Sequence, residues 1–202
     1  MVISHWLYPV QVLGPGNRFG LWLQGCSRKC KGCIAPELQG NAGTEYDLNT
    51  LADTINQLIK DNKLDGITIS GGEPFEQKDE LLKLCSLLVA DDILIYTGYS
   101  YEELKELCQS DLTASKISVI ITNPYIEERN DDLPLRGSSN QEIIYLNPLY
   151  KNMYEQYLLS AVREQQFFVE ENTIYHAGIP LKNQAEMIRR EINNIIEGGK
   201  KE

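Results

Sequence analysis

The stretch Phe19-Gly20-Leu21-Trp22-Leu23-Gln24 runs directly into Gly25-Cys26-Ser27-Arg28-Lys29-Cys30-Lys31-Gly32-Cys33. Its first half is a short apolar run, which predicts a strand, and its second half places three thiols within eight residues of the loop that follows. Cysteine thiolates are the ligands that iron–sulfur clusters use. A cubane cluster has four irons, so three cysteines leave one iron without a protein sulfur. Cys26, Cys30 and Cys33 are therefore candidate ligands of a 4Fe-4S cluster whose fourth iron can bind a small molecule.

A structural zinc site is the alternative interpretation of these cysteines. Such sites usually close with four ligands, commonly two cysteine pairs or a cysteine pair with a histidine pair. The other cysteines, Cys85 and Cys108, stand alone in helical patterns, and the two histidines, His5 and His176, lie far from the loop in sequence. A disulfide is a weaker interpretation, because three clustered cysteines cannot all pair. The spacing favours the iron–sulfur cluster and leaves zinc as an open alternative.

Composition limits the class of protein. The 202 residues are 42% hydrophobic and 24% charged, which is ordinary for a globular protein. The net charge of −10 makes nucleic acid an unlikely partner, because phosphate binding needs concentrated Lys and Arg. No apolar run approaches the ~20 residues that a membrane span needs. Residues 1–6 lack the pattern of a signal peptide, so we expect a cytoplasmic protein with no membrane association.

Short apolar strands alternate with helical patterns beyond the cysteine loop (residues 24–33). Residues 14–18 are a turn-rich lead-in, and no strand is predicted before Phe19. The alternation predicts an α/β fold with a parallel sheet, in which the carboxyl ends of the strands share one face. The five predicted strands are Phe19 to Gln24, Ile67 to Ile69, Ile93 to Tyr96, Ile117 to Ile121 and Glu142 to Leu146.

Each predicted strand is followed by polar or glycine-rich residues, which we therefore expect around one pocket. They are the cysteine loop, Ser70-Gly71-Gly72-Glu73-Pro74, Thr97-Gly98-Tyr99, Thr122-Asn123 and Asn147. The chain ends differently, with a helical pattern over 150–165, a candidate hairpin around Glu170-Glu171-Asn172, and a last helix marked by Ile188, Ile192, Ile195 and Ile196. We predict a core of residues 1–150, with its cluster loop at 24–34, and an extension of residues 151–202 packed on it.

The segment Ser70-Gly71-Gly72-Glu73-Pro74, called here the Gly-Gly-Glu turn, has a chemical use beyond turning the chain. Glycines let backbone carbonyls approach a ligand closely, because no Cβ intervenes. Carbonyl oxygens with a nearby carboxylate suit a cationic amine. A tight strand-to-helix turn is the plain alternative.

Together the two motifs resemble the radical S-adenosylmethionine (SAM) superfamily. The resemblance narrows to the family that activates anaerobic ribonucleoside-triphosphate reductase, a glycyl-radical enzyme. It is carried by residues 16–18, 22–26, 30–33, 66–75 and 96–99 and by Arg136-Gly137-Ser138-Ser139-Asn140-Gln141, and it covers roughly residues 14–147. What it implies is a partial (β/α)6-type half-barrel that binds a 4Fe-4S cluster and S-adenosyl-L-methionine. One electron from the cluster then cleaves SAM to methionine and a 5′-deoxyadenosyl radical, which abstracts a hydrogen from a glycine of the partner enzyme.

The resemblance also implies roles for residues. Cys26, Cys30 and Cys33 would bind the cluster, and no further catalytic residue is implied. The cofactor-binding candidates are Ser70, Gly71, Gly72, Glu73, Pro74, Tyr96, Thr97, Thr122 and Asn123, with Asn140 and Asn147 as weaker ones. A flavodoxin or ferredoxin is the implied electron donor.

The chain departs from the family pattern in two places. Gly32 precedes the third cysteine, where many radical SAM proteins carry an aromatic residue. Ser118 and Thr122 stand on the fourth predicted strand where the family pattern has acidic residues, which bears on the choice of partner. Two other functions stay open: a stand-alone radical SAM enzyme acting on a peptide or small metabolite, and a cluster or zinc module without SAM chemistry.

Overall fold

The computed structural model describes residues 1–109, 111–112, 115–171, 173–182, 184, 186–188 and 190–192. Within them, seven strands form one sheet: β1 Val2–Val10, β2 Arg18–Leu23, β3 Thr44–Glu45, β4 Gly66–Gly71, β5 Ile93–Tyr96, β6 Ile117–Thr122 and β7 Glu142–Tyr145. Their order across the sheet is β3-β1-β2-β4-β5-β6-β7. The helices whose bounds are described are α1 Leu48–Asn62, α2 Lys78–Leu87, α3 Tyr101–Cys108 and α4 Lys151–Ser160. A separate hairpin joins β8 Gln165–Glu170 to β9 Thr173–Gly178.

The centre of the sheet is parallel, as predicted. Strands β2, β4, β5 and β6 run side by side in one direction. Their β-branched and leucine residues are buried on both faces, which is the pattern of a parallel strand covered by helices or loops on each side. The predicted α/β class with a parallel-rich sheet is confirmed.

The first strand of the sheet was missed by the sequence analysis. Strand β1 pairs antiparallel with β2, and Trp6 lies opposite Leu21. Its inward residues are Ile3, Leu7 and Val10, whose spacing is not a clean alternation because the register shifts twice along the pairing. Polar Ser4 and His5, followed by Pro9, hide the period of two that identifies a strand.

The last strand of the sheet corrects a second expectation. Strand β7 runs antiparallel to β6, because the connection from Thr122 to Glu142 contains only a short 3-10 turn and no crossover helix. The backbone N–H groups of Leu146 and Asn147 donate to the Ser118 carbonyl at the opposite end of β6 (2.9 and 3.1 Å). Asn147 therefore lies at the wrong edge of the sheet to join the other strand ends.

Two layers cover the sheet. Helices α1, α2 and α3 pack on one face, with inward residues such as Ile55, Leu84 and Leu104. The other face is covered by α4 through Tyr154 and by the hairpin through Ala177. The carboxyl edge of the parallel strands stays open between these layers, and this is where polar side chains collect.

The opposite, amino edge of the parallel strands buries a network of polar groups. Arg18, which is 0% exposed, donates from Nη1 to Asp92 (2.6 Å) and from Nε to Thr68 (2.7 Å), while Nη2 donates to the Ile67 carbonyl (2.7 Å). The Tyr154 hydroxyl donates to the same aspartate at 3.0 Å. The network joins three neighbouring strands to α4.

The chain beyond residue 150 contains helix α4 and the predicted hairpin. Ile188 and Ile192 of the last predicted helix are helical, whereas Ile195 and Ile196 lie outside the described residues. None of the described helices is long and apolar enough to cross a membrane. The expected cytoplasmic location stays a prediction.

Candidate functional site

A cavity of about 500 Å³ opens at the carboxyl edge of the parallel strands. All three cysteines of the cysteine loop lie in its wall, as do the ends of β4 and β5. The C-terminal part of the chain contributes residues 178–181. The predicted residues in the wall are Cys26, Cys30, Cys33, Ser70, Gly71, Gly72, Glu73, Tyr96, Thr97 and Asn123.

The cysteine loop is held in a sharply turned conformation. Gly25, Lys29 and Gly32 have left-handed backbone, with φ of 101°, 48° and 73°. Ser27 donates from its backbone N–H (2.8 Å) and from its hydroxyl (2.6 Å) to Glu76, which follows the Gly-Gly-Glu turn. The Gln24 side chain donates to the Gly40 carbonyl at 2.7 Å. The loop is thus fixed from both sides rather than hanging free in solvent.

The thiols supply a donor set that fits an iron–sulfur cluster. Burial raises the pKa of Cys26 and of Cys30 above the ordinary value, so these thiols stay protonated until a metal replaces the proton. Among the described residues, no three His, Cys, Asp or Glu side chains form a group that could hold a single metal ion. A cubane cluster does not require that convergence, because each thiolate binds a different iron. Three soft sulfur ligands in one cavity wall match a cluster with one iron left open.

The two glycines of the Gly-Gly-Glu turn let it pack against the cysteine loop. Gly71 has φ +109°, and a Cβ there would fall on the backbone of Leu23. A Cβ on Gly72 would fall on the Gly25 carbonyl. Backbone hydrogen bonds cross the same contact, from Gly72 to Leu23 (2.8 Å) and from Glu73 to Gly25 (2.7 Å). The glycines are therefore required for the approach of two chain segments, in addition to any approach of a ligand.

Glu73 fastens neighbouring strand ends to each other. Its buried carboxylate accepts hydrogen bonds from the Thr97 hydroxyl (2.6 Å), the Gly98 N–H (2.7 Å) and the Phe75 N–H (3.1 Å). Burial raises the pKa of Glu73 above its ordinary value, although these hydrogen bonds act in the opposite direction. By accepting three hydrogen bonds, the Glu73 carboxylate holds the ends of β4 and β5 together in the cavity wall.

Arg28 connects the cysteine loop to Glu73 and to the segment after β5. Its Nε lies 3.4 Å from the Glu73 carboxylate without hydrogen-bond geometry, and its guanidinium lies over the Tyr99 ring, 4.1 Å from the ring centre. An arginine between two of the candidate ligand cysteines is therefore anchored inward. Its position in the sequence does not distinguish Arg28 from a solvated basic residue of the loop, and only its contact with Glu73 of the second motif does so.

The other basic residues of the loop, Lys29 and Lys31, are exposed. Lys31 is 78% exposed and pairs with Glu128 at 2.9 Å. This contact ties the cysteine loop to the 3-10 turn Glu127–Arg129.

Tyr96 supplies the wall with an unpartnered polar group. Its hydroxyl is buried and has no hydrogen-bond partner among the described residues. Burial raises the pKa of this phenol well above its usual value, so it is a neutral donor at physiological pH. A buried hydroxyl without a partner costs free energy unless a ligand or water satisfies it.

Several predicted residues lie elsewhere. Pro74 is buried at the start of a 3-10 turn, and Thr122 donates weakly to the Glu142 carbonyl (3.4 Å); neither lies in the cavity wall. Asn140 donates to the Pro124 carbonyl (2.8 Å), also outside the wall. Asn123 is in the wall with left-handed backbone (φ 74°). Ser118, at the start of β6, lies at the other edge of the sheet.

Sequence reasoning missed part of the wall. Gln141 accepts from Gly137 N–H (2.7 Å) and donates to the Asn123 carbonyl (3.1 Å), so it closes the loop between β6 and β7 over the cavity. Tyr125 and Asn130 also lie in the wall. The segment Arg136 to Gln141 had been noted only as part of the resemblance, because loop residues carry no periodic signal.

Comparison with known proteins identifies the family to which this chain belongs. A sequence profile described as a 4Fe-4S single cluster domain matches residues 12–144. The anaerobic ribonucleoside-triphosphate reductase-activating protein of Escherichia coli K12 is 31% identical over 153 residues, which cover 70% of this chain and 97% of that protein. The proteins of the same name from Vibrio cholerae (32% over 149 residues, 69% and 95%) and from Enterobacteria phage T4 (31% over 145 residues, 68% and 90%) are similar to the same degree. The chain belongs to the radical SAM family of anaerobic ribonucleoside-triphosphate reductase-activating proteins.

Proposed function

We propose that this chain is a radical SAM enzyme that generates a glycyl radical on a partner enzyme, an anaerobic ribonucleotide reductase. The observation that carries the proposal is the convergence of Cys26, Cys30 and Cys33 with the Gly-Gly-Glu turn in the wall of one cavity. The parallel strands and the family membership support a partial (β/α)6-type half-barrel as the core of residues 1–150, with residues 151–202 as an extension packed on it.

The proposed roles follow from the contacts. Cys26, Cys30 and Cys33 would each bind one iron of a 4Fe-4S cluster. When bound, the cluster and S-adenosyl-L-methionine supply reductive cleavage of the sulfonium and a carbon radical that takes a hydrogen atom. The protein orients the two groups and excludes water. Arg28 and Glu73 hold the cysteine loop against the strand ends, which keeps the binding groups in register.

The remaining wall residues would bind the methionine end and the nucleoside of SAM. The backbone of Gly71 and Gly72 lies beside the cysteine loop, which supports a role next to the open iron. The neutral Tyr96 hydroxyl can donate to an oxygen or nitrogen of the ligand. Ser70, Thr97 and Asn123 offer further polar groups from adjacent strand ends.

The partner is proposed from the names of the relatives. The curated relatives are activating proteins of an anaerobic ribonucleoside-triphosphate reductase, and this chain spans nearly their full length. A flavodoxin or ferredoxin is proposed as the electron donor.

Anaerobic reconstitution tests the function. Wild-type protein loaded with iron and sulfide should bind about four irons per chain, because a cubane contains four. With dithionite and SAM it should form 5′-deoxyadenosine, and with the reductase of the same organism it should produce the electron paramagnetic resonance doublet of a glycyl radical. Cys30→Ala should lose all three properties, whereas Cys108→Ala, far from the cavity in α3, should keep them.

The outcomes separate the alternatives. Formation of 5′-deoxyadenosine without a radical on the reductase would point to a stand-alone enzyme with a peptide or metabolite substrate. A single tightly bound zinc with no SAM cleavage would overturn the proposal.

A further inference from the structure

The part of the chain beyond the family core contributes to the cavity. The family profile ends at residue 144, yet Gly178, Ile179, Pro180 and Leu181 lie in the same cavity wall as the cysteines. The Escherichia coli relative aligns over 70% of this chain while covering 97% of itself. A segment outside the matched core thus shapes the space in which the chemistry takes place.

The hairpin seats this segment on the sheet. Ala177 of β9 is 1% exposed and packs in an apolar group with Leu7, Leu13 and Trp22, and Ile179 packs against the same group. The Gln166 side chain donates to the Pro9 carbonyl (2.8 Å) and accepts from the Gln11 N–H (3.1 Å). The hairpin is therefore attached to β1 both by apolar packing and by hydrogen bonds.

A glycine turns the chain from the hairpin toward the cavity. Gly178 has φ +121°, and a Cβ there would lie 2.7 Å from the Glu164 carbonyl oxygen. Only glycine fits this position without strain. The residues that follow it enter the cavity wall instead of continuing the strand.

Arg163 then clamps the segment to the loop after β6. Its side chain is 3% exposed and donates to the Pro180 carbonyl (2.9 Å), the Asn130 side chain (2.7 Å) and the Leu133 carbonyl (2.6 Å from Nη2). The Lys182 N–H donates to Asp132 at 2.7 Å. Two separate parts of the cavity wall, at Pro180 and at Asn130, are thereby fixed to each other.

The residues that follow Gly178 in the wall are apolar, although Glu186 from the same part of the chain also lines the cavity. Ile179, Pro180 and Leu181 add to the apolar surface of Leu13 and Trp22. A cavity of about 500 Å³ is the size that one small ligand fills, so a macromolecular substrate can approach a ligand bound there only with a thin loop. Glycine is the thinnest residue, and a loop that carries it buries backbone rather than side chains.

We propose that residues 178–181, positioned by Arg163, are a partner-recognition element that admits an extended, apolar glycine loop of the partner enzyme. The inference rests on the proposed function and adds where the partner is selected: at a wall built by the C-terminal part of the chain, not by the motifs that hold the cofactors.

The test compares hydrogen abstraction with cofactor cleavage in the reconstituted full-length enzyme. Leu181→Glu places a charge in the apolar wall. We expect the yield of glycyl radical on the anaerobic reductase, divided by the 5′-deoxyadenosine formed, to fall at least about tenfold, with a higher KM for the reductase. Leu181→Met, which keeps the wall apolar, should retain the wild-type ratio. Val169→Glu, a charge on the 73% exposed outer side of the hairpin, is the matched control and should also retain it.

Arg163→Ala provides an independent variant, since it loosens the segment without placing a charge there, and it should lower the same ratio. A wild-type ratio in Leu181→Glu, or a loss of both activities in equal proportion, would overturn the inference while leaving the proposed function intact. If the wild-type enzyme forms no 5′-deoxyadenosine, the proposed function fails first, and the inference fails with it.

Discussion

The two edges of the parallel sheet both bury charged and polar side chains, but only one edge satisfies them. At the amino edge, each guanidinium nitrogen of Arg18 donates a hydrogen bond, and Asp92 is shared with Tyr154. At the carboxyl edge, the Tyr96 hydroxyl and Arg28 Nε are buried without a hydrogen-bond partner among the described residues. In the part of the chain that the structure describes, the buried donors of the amino edge are all hydrogen-bonded within the protein, whereas two buried donors of the carboxyl edge are not.

This difference separates stability from function. A fully paired buried network is strongly destabilised when one member is removed, because the other is left with an uncompensated charge. The Tyr96 hydroxyl, by contrast, has no hydrogen bond within the described residues to lose, so its removal should cost little stability. Substitutions at the amino edge should therefore change unfolding, and those at the carboxyl edge should chiefly change activity.

The largest effect is expected at the amino edge. Asp92→Ala leaves Arg18 buried without its counter-charge, and we expect it to lower the free energy of unfolding by about 3–5 kcal/mol. The measurement is urea unfolding of the metal-free protein followed by circular dichroism. Asp91→Ala, which removes the neighbouring exposed carboxylate, is the control and should change stability by less than about 0.5 kcal/mol. Equal effects of the two variants would contradict the importance of the buried pair.

The second prediction concerns the contact between the two motifs. In Gly72→Ala the added methyl group meets the Gly25 carbonyl and displaces the cysteine loop from the Gly-Gly-Glu turn. We expect about a 100-fold loss of 5′-deoxyadenosine formation, because small displacements of binding groups cost that much. The unfolding free energy should fall by about 1–3 kcal/mol.

Gly40→Ala is the matched control for that variant. A Cβ at Gly40 has no atom within 4 Å, and its backbone is extended. Its activity should equal that of the wild type. A Gly72→Ala enzyme of normal activity would show that the two motifs tolerate separation.

Tyr96→Phe should sharpen the contrast between the edges. Since the hydroxyl has no protein partner, its removal should change the unfolding free energy of the metal-free protein by less than about 1 kcal/mol. The KM for SAM should rise about tenfold, which corresponds to about 1.4 kcal/mol of lost binding. Steady-state formation of 5′-deoxyadenosine at varied SAM concentration gives the second quantity. A strongly destabilised variant with unchanged KM would assign Tyr96 to the fold instead.

The last effect, which is absent at neutral pH, is a dependence of stability on pH. Burial lowers the pKa of His5, which stacks on Trp22, and of His176 to about 4. Both pKa values lie below the value in the unfolded chain, so the unfolded state binds more protons in this range. The stabilisation is fully present above pH 6.5 and is lost as the pH falls toward 4, by up to about 3 kcal/mol for each histidine.

Thermal unfolding between pH 7 and pH 4.5 measures this dependence. His5→Phe keeps a ring next to Trp22 but cannot bind a proton, and its melting temperature should fall less steeply with pH. An unchanged slope would mean that His5 does not contribute to the acid sensitivity.

The sequence predicted the features that depend on local pattern or on fixed spacing. The β-branched runs located β4, β5 and β6, and the cysteine triad with the glycine pair located the cavity. Strand β1 escaped because polar Ser4 and His5 interrupt its alternation. The direction of β7 was not predicted, because the residue pattern of a strand is the same in either orientation. Only the connection before the strand determines whether it runs parallel or antiparallel to its neighbour.

Long-range contacts account for the rest. Arg28 and Lys31 have equal charge and nearly adjacent positions, yet one turns inward to Glu73 and the other outward to Glu128. Nothing in the local sequence distinguishes them. In the same way, no spacing rule links residues 178–181 to cysteines some 150 positions earlier; the hairpin brings them together.

The backbone contact between Gly25 and Gly72 joins the cysteine loop and the Gly-Gly-Glu turn, so that one cannot move without the other. A longer cysteine loop, or a side chain at Gly72, would move both binding surfaces at once, and Gly25 needs its glycine for the left-handed φ of 101°. Efforts to adapt this scaffold to another cluster or another sulfonium compound should therefore keep that glycine pair fixed and vary the C-terminal wall, where the chain is attached by side chains and can be rebuilt independently.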